Sequence, residues 1–162
     1  MTKLTFYHQV RLDGGRRTGI SIDDDNESLQ YFQAGSDEMD PRLLWYVDVR
    51  CRGETLPNDP RKAFAWFSEN EDWLLRVMRQ TASDVEAGMD AGVWPYLREL
   101  TDVPEGVQCS VLVHAGRRLA GREIAAHLLA LAGDVRSLLE QLAPLASPEV
   151  AAWLACFSTP VR

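Results

Sequence analysis

Residues 43–60, LLWYVDVRCRGETLPNDP, contain the change of hydrophobic pattern that decides the fold of this chain. In the first half of this stretch every second residue is apolar, which is typical of a half-buried β-strand. The residues that share its apolar face are Trp45, Val47, Val49 and Cys51. The stretch ends with Asp59-Pro60, a capping residue followed by proline, which predicts the start of a helix. We therefore expect strands before Pro60 and mostly helices after it.

Upstream of this stretch the same alternation continues. One mainly apolar strand face is predicted for Leu4, Phe6, His8, Val10 and Leu12, and the alternation continues on a second strand at Thr18, Ile20 and Ile22. Asp13-Gly14-Gly15 lies between the two runs and favours a tight turn, because glycine tolerates positive φ. A further short strand is predicted at residues 29–33. Four strands with short connections favour an antiparallel meander.

Downstream of Pro60 the apolar residues recur every three to four positions, which predicts helices. A capping-box spacing at residues 68–71 predicts a second helix, and residues 124–142 predict a long one. Ser147-Pro148 predicts a short final helix. Residues 93–107 contain two prolines and are expected to be irregular. Alternation returns at residues 107–114, which predicts a late strand in the same sheet.

These patterns together predict the α+β class. We expect an antiparallel sheet of four to five strands, with three to four helices packed on one of its faces. The chain of 162 residues is long enough for one domain with a core. The predicted domain spans residues 1–162, with a β-rich part at 1–56 and a mainly helical part at 57–162.

Composition limits the classes of function. Hydrophobic residues make up 46% and charged residues 25%, as in globular proteins, and the net charge of −7 disfavours nucleic-acid binding. Cys51, Cys109 and Cys156 are too far apart for a disulfide framework, so buried free thiols in a reducing cytosol are expected. Arg strongly outnumbers Lys, which suggests a GC-rich bacterial genome. With no signal peptide or membrane-spanning stretch visible, a cytoplasmic location is expected.

The residues able to do chemistry form no clear catalytic motif. His8, His114 and His127 lack the spacing of metal ligands, and His8 and His127 are expected to be partly buried, hydrogen-bonded histidines. The P-loop, dinucleotide-binding and serine-hydrolase patterns are missing. The sequence therefore predicts no metal, no cofactor and no catalytic residue, and favours a protein that is not an enzyme.

Two surfaces remain as candidates for binding. Aromatic and guanidinium groups on the sheet face turned away from the core predict a partner-binding surface, because Tyr and Arg are favoured at interfaces. Its residues are Tyr7, Arg11, Tyr46, Arg50 and Arg52. The connection from the late strand to the long helix is a candidate anion site, since helix N-termini attract anions. Its residues are His114, Gly116, Arg117 and Arg118.

The leading hypothesis is therefore a non-catalytic protein-interaction module. It would be an accessory, adaptor or inhibitor-like subunit that binds a partner protein in a bacterial multi-protein system. The alternative is a small enzyme or nucleotide- or phosphate-binding protein that uses the strand-to-helix connection. A third hypothesis is RNA or single-stranded DNA binding through the Tyr/Arg face. The sequence also allows the chain to form a homo-oligomer.

Overall fold

The structure, a computed structural model, describes residues 2–23, 42–88, 95–115 and 121–142. The strands are β1 (Thr2–Arg11), β2 (Arg16–Asp23), β3 (Leu43–Gly53), β4 (Tyr96–Leu100) and β5 (Gln108–Ala115). The helices are α1 (Pro60–Glu69), α2 (Glu71–Gly88) and α3 (Gly121–Leu142). The predicted α+β class is confirmed.

The five strands form one antiparallel sheet in the order β2-β1-β3-β5-β4. The late strand predicted from residues 107–114 returns to this sheet and pairs with β3. The predicted meander is wrong, because β1 lies between β2 and β3 instead of at one side of a sequential series. β1 is paired along both of its edges, so it lies inside the sheet, and almost all of its residues are buried.

The first hairpin forms as the turn residues predict. Gly14 has a φ of 88°, which glycine adopts without strain. The Asp13 carboxylate accepts a hydrogen bond of 2.8 Å from the Gly15 backbone N–H. The resulting register places Thr18 of β2 directly opposite His8 of β1.

One strand of the sheet was not expected from the sequence. The region expected to be irregular, residues 93–107, contains β4, which pairs with β5 from Tyr96 to Leu100. β4 is only five residues long and turns Tyr96, Arg98 and Leu100 toward the helices, so the charged Arg98 interrupts a short apolar pattern. Arg98 and the Tyr96 hydroxyl both contact Asp84 of α2, at 3.2 and 3.1 Å.

The core lies between one face of the sheet and the three described helices. The carboxylate of Asp59 caps α1 by accepting hydrogen bonds from the next backbone N–H groups, as predicted. The Phe67 ring of α1 packs against Phe6 of β1, with ring centroids 6.0 Å apart. The largest fully buried side chains include Trp45, Phe6, Phe67, Leu74, Met78, Ile124 and Leu128. Helices α2 and α3 pack against each other over this core.

The opposite side of the sheet, which we call the outer face, carries the alternate residues of β1, β3 and β5. Its members include Lys3, Thr5, Tyr7, Gln9, Tyr46, Asp48, Arg50, Arg52, Leu112 and His114. Most of these side chains are buried although many are polar. The outer face is therefore a second, polar interior layer over much of its area.

Some predictions fall on residues outside the described ranges. These are the strand at residues 29–33, the helix from Ser147, and the burial of Cys156. Cys51 and Cys109 are buried free thiols, as expected, and lie directly opposite each other on β3 and β5. Within the described ranges no helix combines the length and the apolar character needed to cross a bilayer.

Candidate functional site

The predicted partner-binding residues on β1 and β3 do share the outer face. In the strand register Tyr7 lies opposite Asp48, which places it on the same side as Tyr46, Arg50 and Arg52. Tyr7 and Tyr46 are nevertheless buried, at 3% and 7% exposure. The expectation that they stand on a solvated surface is therefore wrong.

Packing within the sheet helps to explain this burial. The Tyr7 ring lies over Gly19 of β2, where a Cβ atom would overlap it. The Tyr46 ring packs beside His114 of β5, with ring centroids 5.9 Å apart. Neighbouring strands thus cover aromatic side chains that the alternation alone assigns to solvent.

Arg11 and Arg52 keep exposed side chains. Arg11 follows a register shift at the end of β1, and its Nε lies 3.7 Å from Asp13 Oδ2. Arg52 Nε donates a hydrogen bond of 3.0 Å to Gln108 Oε1. A partner-binding role stays a prediction for these two residues.

Asp48 is the most strongly perturbed acid of the outer face. Its side chain is almost wholly buried, and this burial raises the pKa of Asp48 to about 7. Arg50 opposes the shift only partly, since its Nη2 lies 4.0 Å from Asp48 Oδ2. Burial also lowers the pKa of Arg50. Asp48 consequently changes charge near neutral pH inside the protein.

The structure describes only part of the candidate anion site. His114 is buried on the outer face next to Tyr46. Gly116, Arg117 and Arg118 lie outside the described residues. Anion binding at this connection therefore stays a prediction.

A different site emerges between the β1–β2 hairpin and α3. These elements border an open cavity of about 480 Å³, which we call the hairpin–helix groove. Its walls include His8, Arg16 and Thr18 from the hairpin, and His127, Leu131, Asp134 and Leu138 from the helix. The helix residues recur at intervals of three to four, so they lie along one face of α3.

Aromatic rings and a hydrogen bond order the inner end of this groove. His8 Nδ1 and Thr18 Oγ1 share a hydrogen bond of 2.7 Å, so the buried, hydrogen-bonded state predicted for His8 is confirmed. The Trp45 indole packs between two imidazoles, with ring centroids 5.7 Å from both His8 and His127. His127 differs from its prediction, because it is exposed on the groove wall.

The surroundings of His8 keep its imidazole uncharged at neutral pH. Burial is the main cause, and the nearby Arg16 and His127 add to it, so that the pKa of His8 is lowered to about 4. A neutral imidazole both donates and accepts hydrogen bonds. His8 therefore offers the groove a polar, uncharged contact.

Two formal charges of opposite sign stand on facing walls. Arg16 is exposed on β2, and Asp134 is exposed on α3. Within the described part of the chain, no ion pair joins Arg16 to Asp134. Both groups are thus placed to contact a molecule in the groove.

The volume and lining of the groove suit a small molecule. Ligand cavities usually span about 300–1,000 Å³ and combine apolar walls with a few polar groups. Leu131 and Leu138 supply apolar surface beside the charged and imidazole groups. The described residues contain no cluster of three or more His, Cys, Asp or Glu side chains that could hold a metal ion.

This groove was not predicted from the sequence, although two features of the sequence point to it. The turn at Gly14 fixes a register that pairs His8 with Thr18. His127 and Asp134 are seven residues apart, which places them on the same face of a helix. What the sequence alone does not supply is the position of α3 across the groove from the β1–β2 hairpin. A scan of protein-family models, a search of curated proteins and a search of solved structures each found no match to this chain.

Proposed function

We propose that this chain is a non-catalytic binding protein whose hairpin–helix groove takes a small organic acid. The observation that carries the proposal is the position of Arg16. Its guanidinium lines a cavity of about 480 Å³ that also has an apolar wall at Leu131 and Leu138. Guanidinium groups bind carboxylates through paired, charge-assisted hydrogen bonds.

Binding suits this groove better than catalysis. The Thr18 hydroxyl beside the His8 imidazole has the arrangement of a nucleophile and a general base. A general base works best when its pKa is near the operating pH. The pKa of His8 lies near 4, so this imidazole is a weak base at neutral pH.

The test is a panel of small carboxylic acids, screened by thermal shift and then by calorimetry. A true ligand at 100 times its Kd stabilises the folded protein by about 2.7 kcal/mol. Arg16→Met should weaken binding by roughly 10- to 100-fold, since a hydrogen bond to a charged group contributes about 1.5–3 kcal/mol. Arg11→Met is the matched control, because Arg11 is exposed on the same hairpin but outside the groove. If no acid binds at millimolar concentration, or if Arg16→Met binds as tightly as the native protein, the proposal is wrong.

A second candidate function is binding of a partner protein through the exposed arginines. The supporting observation is the end of the first hairpin, where Arg11 and Leu12 are both exposed. Arg52 offers a further exposed guanidinium on β3. The informative variant is Arg52→Glu, because Arg50 lies largely buried next to Asp48 and Arg50→Glu would disturb the fold. Equal affinity of native and Arg52→Glu proteins for a purified partner, measured by calorimetry, removes Arg52 from such an interface.

A further inference from the structure

We infer that the molecule bound in the hairpin–helix groove is an amino acid with an apolar side chain. Arg16 holds its carboxylate, Asp134 holds its ammonium group, and Leu131 and Leu138 contact its side chain. This inference rests on the proposed function and names the ligand class for the same groove.

The groove carries formal charges of both signs. Arg16 contributes one positive charge and Asp134 one negative charge, on opposite walls. A ligand with a single anionic group pairs with Arg16, and the Asp134 carboxylate then faces that ligand without a cationic partner. A zwitterion places one opposite charge at each wall, which is the best electrostatic match.

Asp134 lies between two leucines on the groove-facing side of α3. Leu131 precedes it by three residues and Leu138 follows it by four, so the carboxylate is flanked by apolar side chains on one helix face. Leu131 is largely buried, and Leu138 is half-buried. A ligand whose ammonium group reaches Asp134 therefore lays its neighbouring atoms on an apolar surface.

Two further polar groups of the groove, His8 and Thr18, carry no charge at neutral pH. His8 is uncharged at neutral pH and hydrogen-bonded to Thr18, so it adds no further positive charge beside Arg16. This favours a singly charged carboxylate over a dianionic phosphate. The cavity of about 480 Å³ lies in the lower half of the usual range for small-molecule sites, in keeping with an amino acid.

The experiment compares three ligands that share one carbon skeleton. These are leucine, its deaminated acid 4-methylpentanoic acid, and its decarboxylated amine isopentylamine. Calorimetry on the full chain should show leucine binding about tenfold or more tightly than either relative. Asp134→Asn should remove the preference for leucine over 4-methylpentanoic acid and leave affinity for the acid unchanged. Glu140→Gln is the matched control, since Glu140 is exposed on α3 outside the groove.

The outcomes separate this inference from the proposed function. If 4-methylpentanoic acid binds as tightly as leucine, and Asp134→Asn changes neither affinity, the ligand is an acid without an ammonium group. The inference is then wrong while the proposed function holds. If neither carboxylate binds, or if only isopentylamine does, the inference is wrong, and the proposed function is also wrong if no other acid of the panel binds. Thermal melts of each variant confirm that a lost affinity does not reflect unfolding.

Discussion

At the scale of single residues, the charge and exposure of a side chain depend more on its surroundings than on its residue type. His8 and Tyr7 are neighbours on β1, yet they face opposite sides of the sheet. His8 ends in the groove, bonded to Thr18 and neutral at pH 7. Tyr7 lies on the outer face, where burial raises its pKa and Gly19 makes room for its ring. The alternation assigned both residues to the correct face, and the burial expected for His8 is confirmed, but the exposure expected for Tyr7 is wrong.

Gly19 and Gly133 give a prediction at this scale, because the same substitution should have opposite effects at the two sites. A Cβ at Gly19 overlaps the buried Tyr7 ring, whereas a Cβ at Gly133 of α3 meets no atom within 4 Å. Gly19→Ala should destabilise the fold by about 1–3 kcal/mol through overpacking. Gly133→Ala should stabilise it by about 0.4–1 kcal/mol, because alanine favours a helix interior. Urea unfolding measures both changes, and a stable Gly19→Ala protein would show that Tyr7 moves aside easily.

At the scale of elements, those with a regular apolar pattern were predictable, and the five-residue strand β4 was not. The sequence predicts β1, β3 and α3 because each repeats its apolar spacing over ten or more residues. In β4, the charged Arg98 stands between the two apolar residues that face the helices, and the strand is only five residues long, so its alternation carries little apolar signal. Pairing with β5 and contacts of Tyr96 and Arg98 with Asp84 make it a strand. Such contacts join residues far apart in the chain, which periodicity does not report.

The order of the strands likewise depends on contacts between elements, which periodicity does not report. A hairpin predicts only that β1 and β2 are neighbours, and it leaves the other edge of β1 open. That edge is taken by β3, which matches β1 in length and in buried residues. A sequential meander would have left β1 at the side of the sheet with its apolar residues less covered. Strand order therefore follows from burial of the whole sheet and not from connection length.

At the scale of the whole molecule, the groove and the outer face place two perturbed groups on opposite sides of one sheet. His8 faces the helix side, and Asp48 faces the outer side. The pKa of His8 is lowered from 6.5 to about 4, and that of Asp48 is raised from 3.8 to about 7, in both cases mainly by burial. The two groups are neutral in the folded protein across most of the interval between these values. Their effects on stability oppose each other.

The sign of each effect on stability depends on whether the folded or the unfolded state binds more protons. Between about pH 4 and 6.5 the unfolded chain binds more protons at His8, so this group makes stability rise with pH. Between about pH 4 and 7 the folded protein binds more protons at Asp48, so this group makes stability fall as pH rises. Each contributes a slope of at most about 1.4 kcal/mol per pH unit. In the native protein the two slopes largely cancel over the shared interval.

Replacing one of these two residues should therefore reveal the pH dependence of stability that the other contributes. Asp48→Asn should make the free energy of unfolding rise more steeply with pH than in the native protein, and His8→Gln should make it fall. The double variant should return close to the native slope, because both opposing effects are gone. Urea unfolding at several values between about pH 4.5 and 6.5 gives these slopes directly, and slopes are informative even where a substitution lowers stability at every pH. Identical slopes in all four proteins would mean that neither side chain is held in its neutral form by burial.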